Sequence, residues 1–200
     1  MSADSAARGQ QTRARLLDAA VQLIVEEGWG AATTRKIADR AQVRPGVVHY
    51  HFGSVTDLLV EASLDAVRRE LDRMLVLFRE NATAPGGLGE MLSAVAGYPS
   101  DDPLTVLMTE AVLAATRIER LRTELADLLG RWRTAMARWL EDQGVEDAEA
   151  TATVLSAAMD GLVLHYMLDP GLRSTPLAAP ILRMAGLRPG EAAPSMPPDD

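Results

Sequence analysis

Residues 33 to 52, from Thr33 to Phe52, constrain this chain most, because they read as two short helices with a tight break between them. Thr33 or Thr34 can open the first helix, since a threonine hydroxyl accepts an orphan backbone N–H of the first turn. Ile37 and Ala41 then recur four residues apart as a buried edge. Gln42, Val43 and Arg44 make the turn. Pro45 suits the first position of the next helix, where its missing N–H costs nothing and its φ is already set. That second helix is expected over 45–52. Val43, Val48 and Phe52 anchor it against the first, which leaves Arg44, Pro45, Gly46, His49 and Tyr50 facing outward. A short helix presenting Arg, Gly, His and Tyr suits a major groove.

The neighbouring residues extend the pattern. Thr12-Arg13, Leu17-Asp18-Ala19-Ala20, Glu27-Gly28-Trp29, Thr33-Thr34, Ile37-Ala38, Ala41, Val43, Gly46, Tyr50-His51-Phe52, Ser54 and Leu58-Leu59 stand in an order and spacing that resembles the TetR family of bacterial transcriptional repressors. The resemblance covers the first third of the chain. It implies a three-helix DNA-binding head, with phosphate-contacting positions at Thr34, Tyr50 and His51. Arg35 and Lys36 add cations, so the candidate DNA-binding set is Thr34, Arg35, Lys36, Arg44, Pro45, Gly46, His49, Tyr50 and His51. Gln42 stands where the family usually has Gly in a left-handed turn, His49 where Tyr is common, and Val55 where Lys often reaches a phosphate.

The net charge of −8 argues at first against a nucleic-acid partner. Its distribution reverses that, because residues 1 to 54 carry seven basic and five acidic groups, which leaves −10 on the rest. An acidic body with a basic head orients the molecule toward DNA. The absence of cysteine excludes a disulfide framework and a thiolate metal site. The first fifteen residues have no apolar signal region, and no run reads as the roughly 18 apolar residues of a membrane span, so a cytoplasmic protein is expected.

No strand pattern, internal repeat or glycine-rich phosphate loop is visible, and the expected fold class is all-α: a three-helix head followed by a helical body. Residues 1 to 11 are expected to be disordered, with Arg8 in reach of DNA. A helix over 12–27 carries Leu17, Val21, Ile24 and Val25 on one face and ends at Gly28, and Trp29 reads as an aromatic plug under the head. Ser54 and Asp57 form a start signal for a long helix over 55–80, whose stripe is Val60, Leu64, Val67, Leu71, Met74 and Phe78. The cluster from Asn81 to Gly87 reads as a linker. Helices are expected over 88–96, 104–115 and 118–141, the last closed by Gln143-Gly144. These signals divide the chain into a head over 10–70, a body over 71–186 and a disordered tail over 187–200.

From Ala148 to Leu168 the run is apolar almost all round, and Ala150, Ala152, Ala157, Ala158 and Gly161 keep it narrow. A helix apolar on every side must be covered on every side, so one face is expected inside the body and the other against a second copy of the chain. The family resemblance implies the same homodimer, with a seam built from residues 146–168 and a last helix over 177–185.

His49 and His51, two apart, point to different sides of a helix with no third ligand near, so no metal site is expected. No serine sits in a nucleophile elbow, and neither an enzyme nor a cofactor is expected. Asp160 and His165 interrupt the apolar run, and with Met74, Met108, Trp132 and Met136 they form the candidate ligand-binding set. Thioethers and Trp suit a small apolar effector. The resulting reading is a dimeric regulator, a repressor, that binds a double-stranded DNA operator and is released by that effector. The competing readings are an all-α ligand carrier or enzyme that kept the head without operator binding, and a DNA-binding dimer with no effector.

Overall fold

A computed structural model describes residues 2–80, 84–99 and 101–187, with side chains over 6–76, 86–99 and 101–187. Among the described residues there is no strand, and the all-α expectation is met. The chain order is α1 (Ser2–Glu27), a 3-10 turn (Trp29–Ala31), α2 (Thr34–Arg40), α3 (Pro45–Phe52), α4 (Val55–Glu80), α5 (Ala84–Ala96), α6 (Pro103–Ala115), α7 (Glu119–Asp142), α8 (Ala148–Leu168), a second 3-10 turn (Pro170–Ser174) and α9 (Ala178–Met184). The chain forms two compact units. The first comprises the residues up to Arg69 together with Asp102–Asp127, and the second Glu70–Asp101 together with the residues from Leu128 onward. Residues 102–127, read in the sequence as body, thus belong to the same unit as the helix-turn-helix.

In the first unit the core is built from Leu16, Leu17, Ala20, Leu23 and Ile24 of α1, Ile37 and Ala38 of α2, Val48 and Phe52 of α3, Leu58, Leu59 and Ala62 of α4, and Leu107 of α6. α1 begins ten residues before the expected Thr12, and residues 2–11 are helical where disorder was expected. The segment holds Ala3, Ala6, Ala7, Arg8, Gln10 and Gln11, strong helix formers that need no apolar stripe to extend a helix already nucleated further on. Thr12, inside this longer helix, donates its hydroxyl to the Arg8 carbonyl at 3.0 Å. The helix ends where Gly28 turns to φ +85° and its N–H bonds the Ile24 carbonyl at 2.9 Å. Trp29 packs half-buried against the core, as the plug reading expects.

The boundaries of α2 and α3 follow local chemistry. Thr33 is the cap of α2, and its hydroxyl oxygen accepts the Lys36 N–H at 3.4 Å. At the other end Gln42 adopts φ +54°, its N–H bonds the Asp39 carbonyl, and the Val43 N–H reaches back to the Ala38 carbonyl at 2.9 Å. This is a Schellman ending. α7 and α9 end with the same hydrogen-bond pattern, but there the left-handed residues are Gly144 and Gly186. The turn between α2 and α3 therefore keeps the left-handed geometry that glycine would favour, and Gln42 tolerates it. Pro45 opens α3 in the first turn, as expected.

α4 starts at the Ser54 signal: the Ser54 oxygen accepts the Asp57 N–H at 3.0 Å while its hydroxyl donates to Asp57 Oδ2 at 2.5 Å. Val60, Leu64, Val67 and Met74 are buried along the expected stripe, and Asp65 pairs with Arg69 at 3.1 Å on the solvated side. Phe78 lies outside the residues whose side chains are described.

The second unit packs Met74, Leu88, Met91, Leu92, Val95, Trp132, Met136, Leu140, Ala152, Leu155, Met159, Tyr166, Ile181 and Leu182 into its own core. α5 starts at Ala84, inside the stretch expected to be linker, so that Gly86 and Gly87 are helical. Pro85 sits in the first turn, where a missing N–H costs nothing, and the docking of Leu88, Met91, Leu92 and Val95 outweighs the weak propensity of the glycines. The rest of the proposed linker, residues 81–83, and the tail beyond 187 lie outside the described residues.

A polar cluster ties the edge of this unit together. Arg73 donates to both oxygens of Glu70, at 2.9 and 2.5 Å, Tyr98 donates its hydroxyl to the same carboxylate, and Arg173 Nε donates to the Tyr98 carbonyl at 3.0 Å. Burial and the bond to Glu70 push the Tyr98 hydroxyl well above the usual phenol range.

α8 differs from its sequence reading in one respect. It is long and apolar enough, by length and a mean hydropathy of 1.2, to meet the criterion for a membrane span that no stretch was expected to meet. Its Ala152, Leu155, Met159 and Tyr166 nonetheless pack into the core of the second unit, while Val154, Leu164 and Leu168 on its other side are exposed.

Candidate nucleic-acid interface

α3 is held by two side chains and presents the rest. Val48 is fully buried and Phe52 nearly so, which fixes the rotation of the helix and leaves Arg44, Pro45, Gly46, His49 and Tyr50 exposed together on the other side. Tyr50 is 84% exposed, an unusual position for an aromatic ring in a folded unit. Its ring meets His51 edge to face at 5.1 Å, and His51 itself is half-buried.

His49 is oriented by its own helix end. Its Nδ1 lies 2.9 Å from the Gly53 carbonyl, and because a carbonyl only accepts, Nδ1 carries the proton. Nε2 is thereby left as the outward-facing nitrogen, an acceptor in the neutral ring.

Gly46 has no structural reason within the chain: a Cβ built there meets nothing within 4 Å, and its φ is not left-handed. Glycine in a helix costs about 1 kcal/mol relative to alanine. The outer surface of α3 is left open at that position.

The cations divide into two groups. Lys36 pairs with Glu27 at 2.5 Å and Arg40 with Glu26 at 2.6 Å, and the Arg40 bond holds the Glu26 carboxyl below its usual range. Arg13 pairs with Glu61 and lies over the Phe52 ring at 5.1 Å, so it braces the back of α3. Arg35 sits 3.9 Å from Asp39 with both side chains largely exposed, a loose pair of little strength. Arg44 makes no ion pair among the described residues. Thr34 is half-buried at the start of α2. Of the nine candidate DNA-binding residues, α3 and its cap bring six onto or beside one face, while Lys36 is already partnered.

Two ties of the first unit were not visible in the sequence. Glu110 of α6 accepts the backbone N–H of Trp29 at 2.7 Å, and Arg120 at the start of α7 donates to Asp57 at 2.8 Å. The signal for the first was the single acid in the otherwise uncharged helix PLTVLMTEAVLAA.

The candidate ligand set is dispersed. Met74, Trp132 and Met136 are buried in the core of the second unit, and Met108 is half-buried in the first. Asp160 and His165 do not join the buried three, because both lie on the exposed side of α8. The Asp160 carboxyl is pushed above its usual range by desolvation, partly offset by Arg133. An open groove of about 1190 Å³ runs between α7 and α8, lined among others by Arg133, Arg138, Glu141, Glu149 and Val154. No cluster of three or more His, Asp or Glu suited to a metal occurs among the described residues.

Comparison with known proteins decides the affiliation. The family of bacterial regulatory proteins of the tetR type matches residues 16–62, and the tetracyclin repressor-like C-terminal domain matches residues 79–187, more than half of the chain. The chain belongs to the TetR family. An uncharacterized HTH-type transcriptional regulator of Mycobacterium tuberculosis is 28% identical over 125 residues, which is 62% of this chain and 64% of that relative. The match therefore spans a little under two thirds of that relative's length. The fatty acid metabolism regulator protein of Bacillus subtilis is 27% identical over 115 residues, 58% of this chain and 59% of the relative. Among solved structures, Salmonella enterica GusR superposes with a TM-score of 0.73 at 21% identity, covering 88% of this chain and 93% of that one, a likeness of fold. Against the TetR pattern, the head departs in the way its sequence indicates, with Gln42 at the turn and Val55 at the start of α4.

Gly46→Ala is expected to separate stability from binding. The unfolding midpoint in urea should rise, by up to about 1 kcal/mol in free energy, while affinity for a DNA duplex falls. A variant that gains stability and binds DNA as well as the parent would remove Gly46 from the interface.

Proposed function

We propose that the protein is a homodimeric, sequence-specific DNA-binding regulator of transcription, acting as a repressor that leaves its operator when a small apolar molecule occupies the helical body. The observation that carries DNA binding is the outward face of α3, where Arg44, Gly46, His49 and Tyr50 are exposed together over a helix fixed by Val48 and Phe52. Membership of the TetR family supports it, since regulators of that family bind DNA operators and small-molecule effectors and are typically dimers. A cytoplasmic location follows from that role.

Arg44 is assigned to a guanine edge, where a guanidinium pairs bidentately with O6 and N7. Thr34, Tyr50 and His51 are assigned to the phosphate backbone, where they set affinity without reading sequence. Because Lys36, Arg40 and Arg13 are already paired with carboxylates, few head cations remain to release counterions, and the salt dependence of binding should be shallow for a dimer.

The seam is assigned to the exposed side of α8 with α9. Val154, Leu164, Leu168 and Met184 are exposed apolar side chains there, and Ala150, Ala157 and Gly161 allow close approach of a second helix. Asp160 and His165 lie on this exposed side and are assigned to the seam, not to the effector. The effector is assigned to the apolar interior of the second unit represented by Met74, Trp132 and Met136, and Met108, which belongs to the first unit, is left out of that assignment. Methionine-rich interiors adapt to flexible apolar ligands, and the Bacillus subtilis relative regulates fatty acid metabolism, so a long acyl chain is the ligand class to try first.

A duplex enriched by the protein from a random library supplies the DNA test. Arg44→Ala should lose about 1–3 kcal/mol on that duplex and relax the preference at one base pair per half-site; equal weakening on every sequence would place Arg44 on the backbone instead. For the seam, a Cβ at Gly161 meets nothing within 4 Å in the chain, so Gly161→Glu should leave each protomer folded. Sedimentation at micromolar concentration should then show a monomer where the parent is a dimer, and a variant that stays dimeric moves the seam elsewhere. Stearic acid and its coenzyme A thioester are the first effector probes. Linkage requires that a probe weaken duplex binding by the same factor as the duplex weakens probe binding. A probe that binds with equal affinity in both experiments is not a signal.

A further inference from the structure

We propose that Glu110 is a positioning residue for DNA binding: from α6 its carboxylate caps the short 3-10 turn that leads into the helix-turn-helix, and so fixes the direction in which α2 and α3 leave α1. The inference rests on the reading of the protein as a DNA-binding regulator and names a residue outside the helix-turn-helix on which that binding depends.

The turn Trp29–Ala31 begins with an unprovided N–H. Its cap residue is Gly28, at φ +85°, which has no side chain to accept that bond. Helix starts normally meet this need with a Ser, Thr, Asp or Asn at the cap. Here the acceptor comes from 81 residues away: Glu110 Oε2 takes the Trp29 N–H at 2.7 Å, the length of a charge-assisted bond. The carboxylate rests directly on the turn, since a Cβ on Gly28 would stand 3.6 Å from the same oxygen.

Two features make this tie a positioning device for the interface. First, α6 is itself immobilised against the head: Leu107, one turn before Glu110, is fully buried in the same core as Val48 and Phe52, and Ala111 and Ala114 are buried after it. Second, only Gly30, Ala31 and Ala32 separate Trp29 from Thr33, the cap of α2. So short a connection carries any displacement of Trp29 into α2, and through the Gln42 turn into α3. The Arg120–Asp57 pair offers an internal comparison. It also joins residues 102–127 to the helix-turn-helix region, but both of its side chains are about half exposed, where an ion pair contributes little.

The test uses the full-length dimer and the duplex enriched by the parent protein. Glu110→Ala should weaken binding to that duplex by about tenfold or more, the consequence of losing a hydrogen bond to a charged group. The exchange of the Trp29 amide proton should accelerate by a similar factor. Glu110→Gln keeps a carbonyl acceptor and should recover most of both. Arg120→Ala should stay within about twofold of the parent on the duplex. Binding to random-sequence duplex at low salt should change little in all three variants, whereas a merely destabilised head would lose both kinds of binding together. If Glu110→Ala exchanges the Trp29 amide faster yet binds the enriched duplex like the parent, the positioning role is overturned while the DNA-binding reading stands. Failure of Glu110→Gln to improve on Glu110→Ala overturns the capping role in the same way. A parent protein that enriches no sequence overturns the regulator reading, and this inference with it.

Discussion

An eight-residue helix has no stability of its own in water, because nucleating a helix costs more than so few hydrogen bonds return. α3 exists because Val48 and Phe52 are buried in the core that it shares with α1, α2 and α4, each contributing about 1.5–3 kcal/mol of apolar burial. Everything on its outer side depends on that anchoring. Arg44 and His49 are presented in a defined direction only while those two side chains stay seated, and Arg13, over the Phe52 ring and paired with Glu61, packs behind them. The interface is a surface property secured by an interior one.

The charge pattern shows how far counting residues carries. The excess of cations in the first 54 residues points toward DNA, but three of those cations are used inside the head, Arg13 on Glu61, Lys36 on Glu27 and Arg40 on Glu26. A net sign survives internal pairing, whereas the number of groups free to meet phosphate does not. The outer face of α3 is accordingly marked more by shape, with an exposed tyrosine and a helix thinned at Gly46, than by accumulated positive charge.

The helix-turn-helix was legible in the sequence because its chemistry is local. A threonine cap, a proline in the first turn and apolar residues at helical spacing fixed the extents of α2 and α3, whereas the left-handed geometry at Gln42 was implied by the family resemblance and only the structure shows that glutamine keeps it. What was not legible depends on distance or on context. The early start of α1 rests on propensity without periodicity, and the helical Gly86 and Gly87 rest on the docking of residues that follow them. The bond from Glu110 to Trp29 joins residues far apart in sequence; a lone acid in an uncharged helix marks Glu110 as unusual but does not name its partner. Asp160 and His165 were grouped with buried methionines because they interrupt an apolar run; a helix apolar all round gives no hint of which side faces in.

α8 has a consequence for the life of the chain before assembly. A protomer newly released from the ribosome carries a 21-residue helix that a lipid bilayer would accept by length and hydropathy, with Leu164 and Leu168 uncovered. Such a surface is what chaperones and proteases recognise, and what aggregates when protomers are scarce of partners. On the proposed seam, pairing of two chains would cover Leu164 and Leu168 and take that apolar surface out of water, so assembly would protect the chain as well as space its two heads.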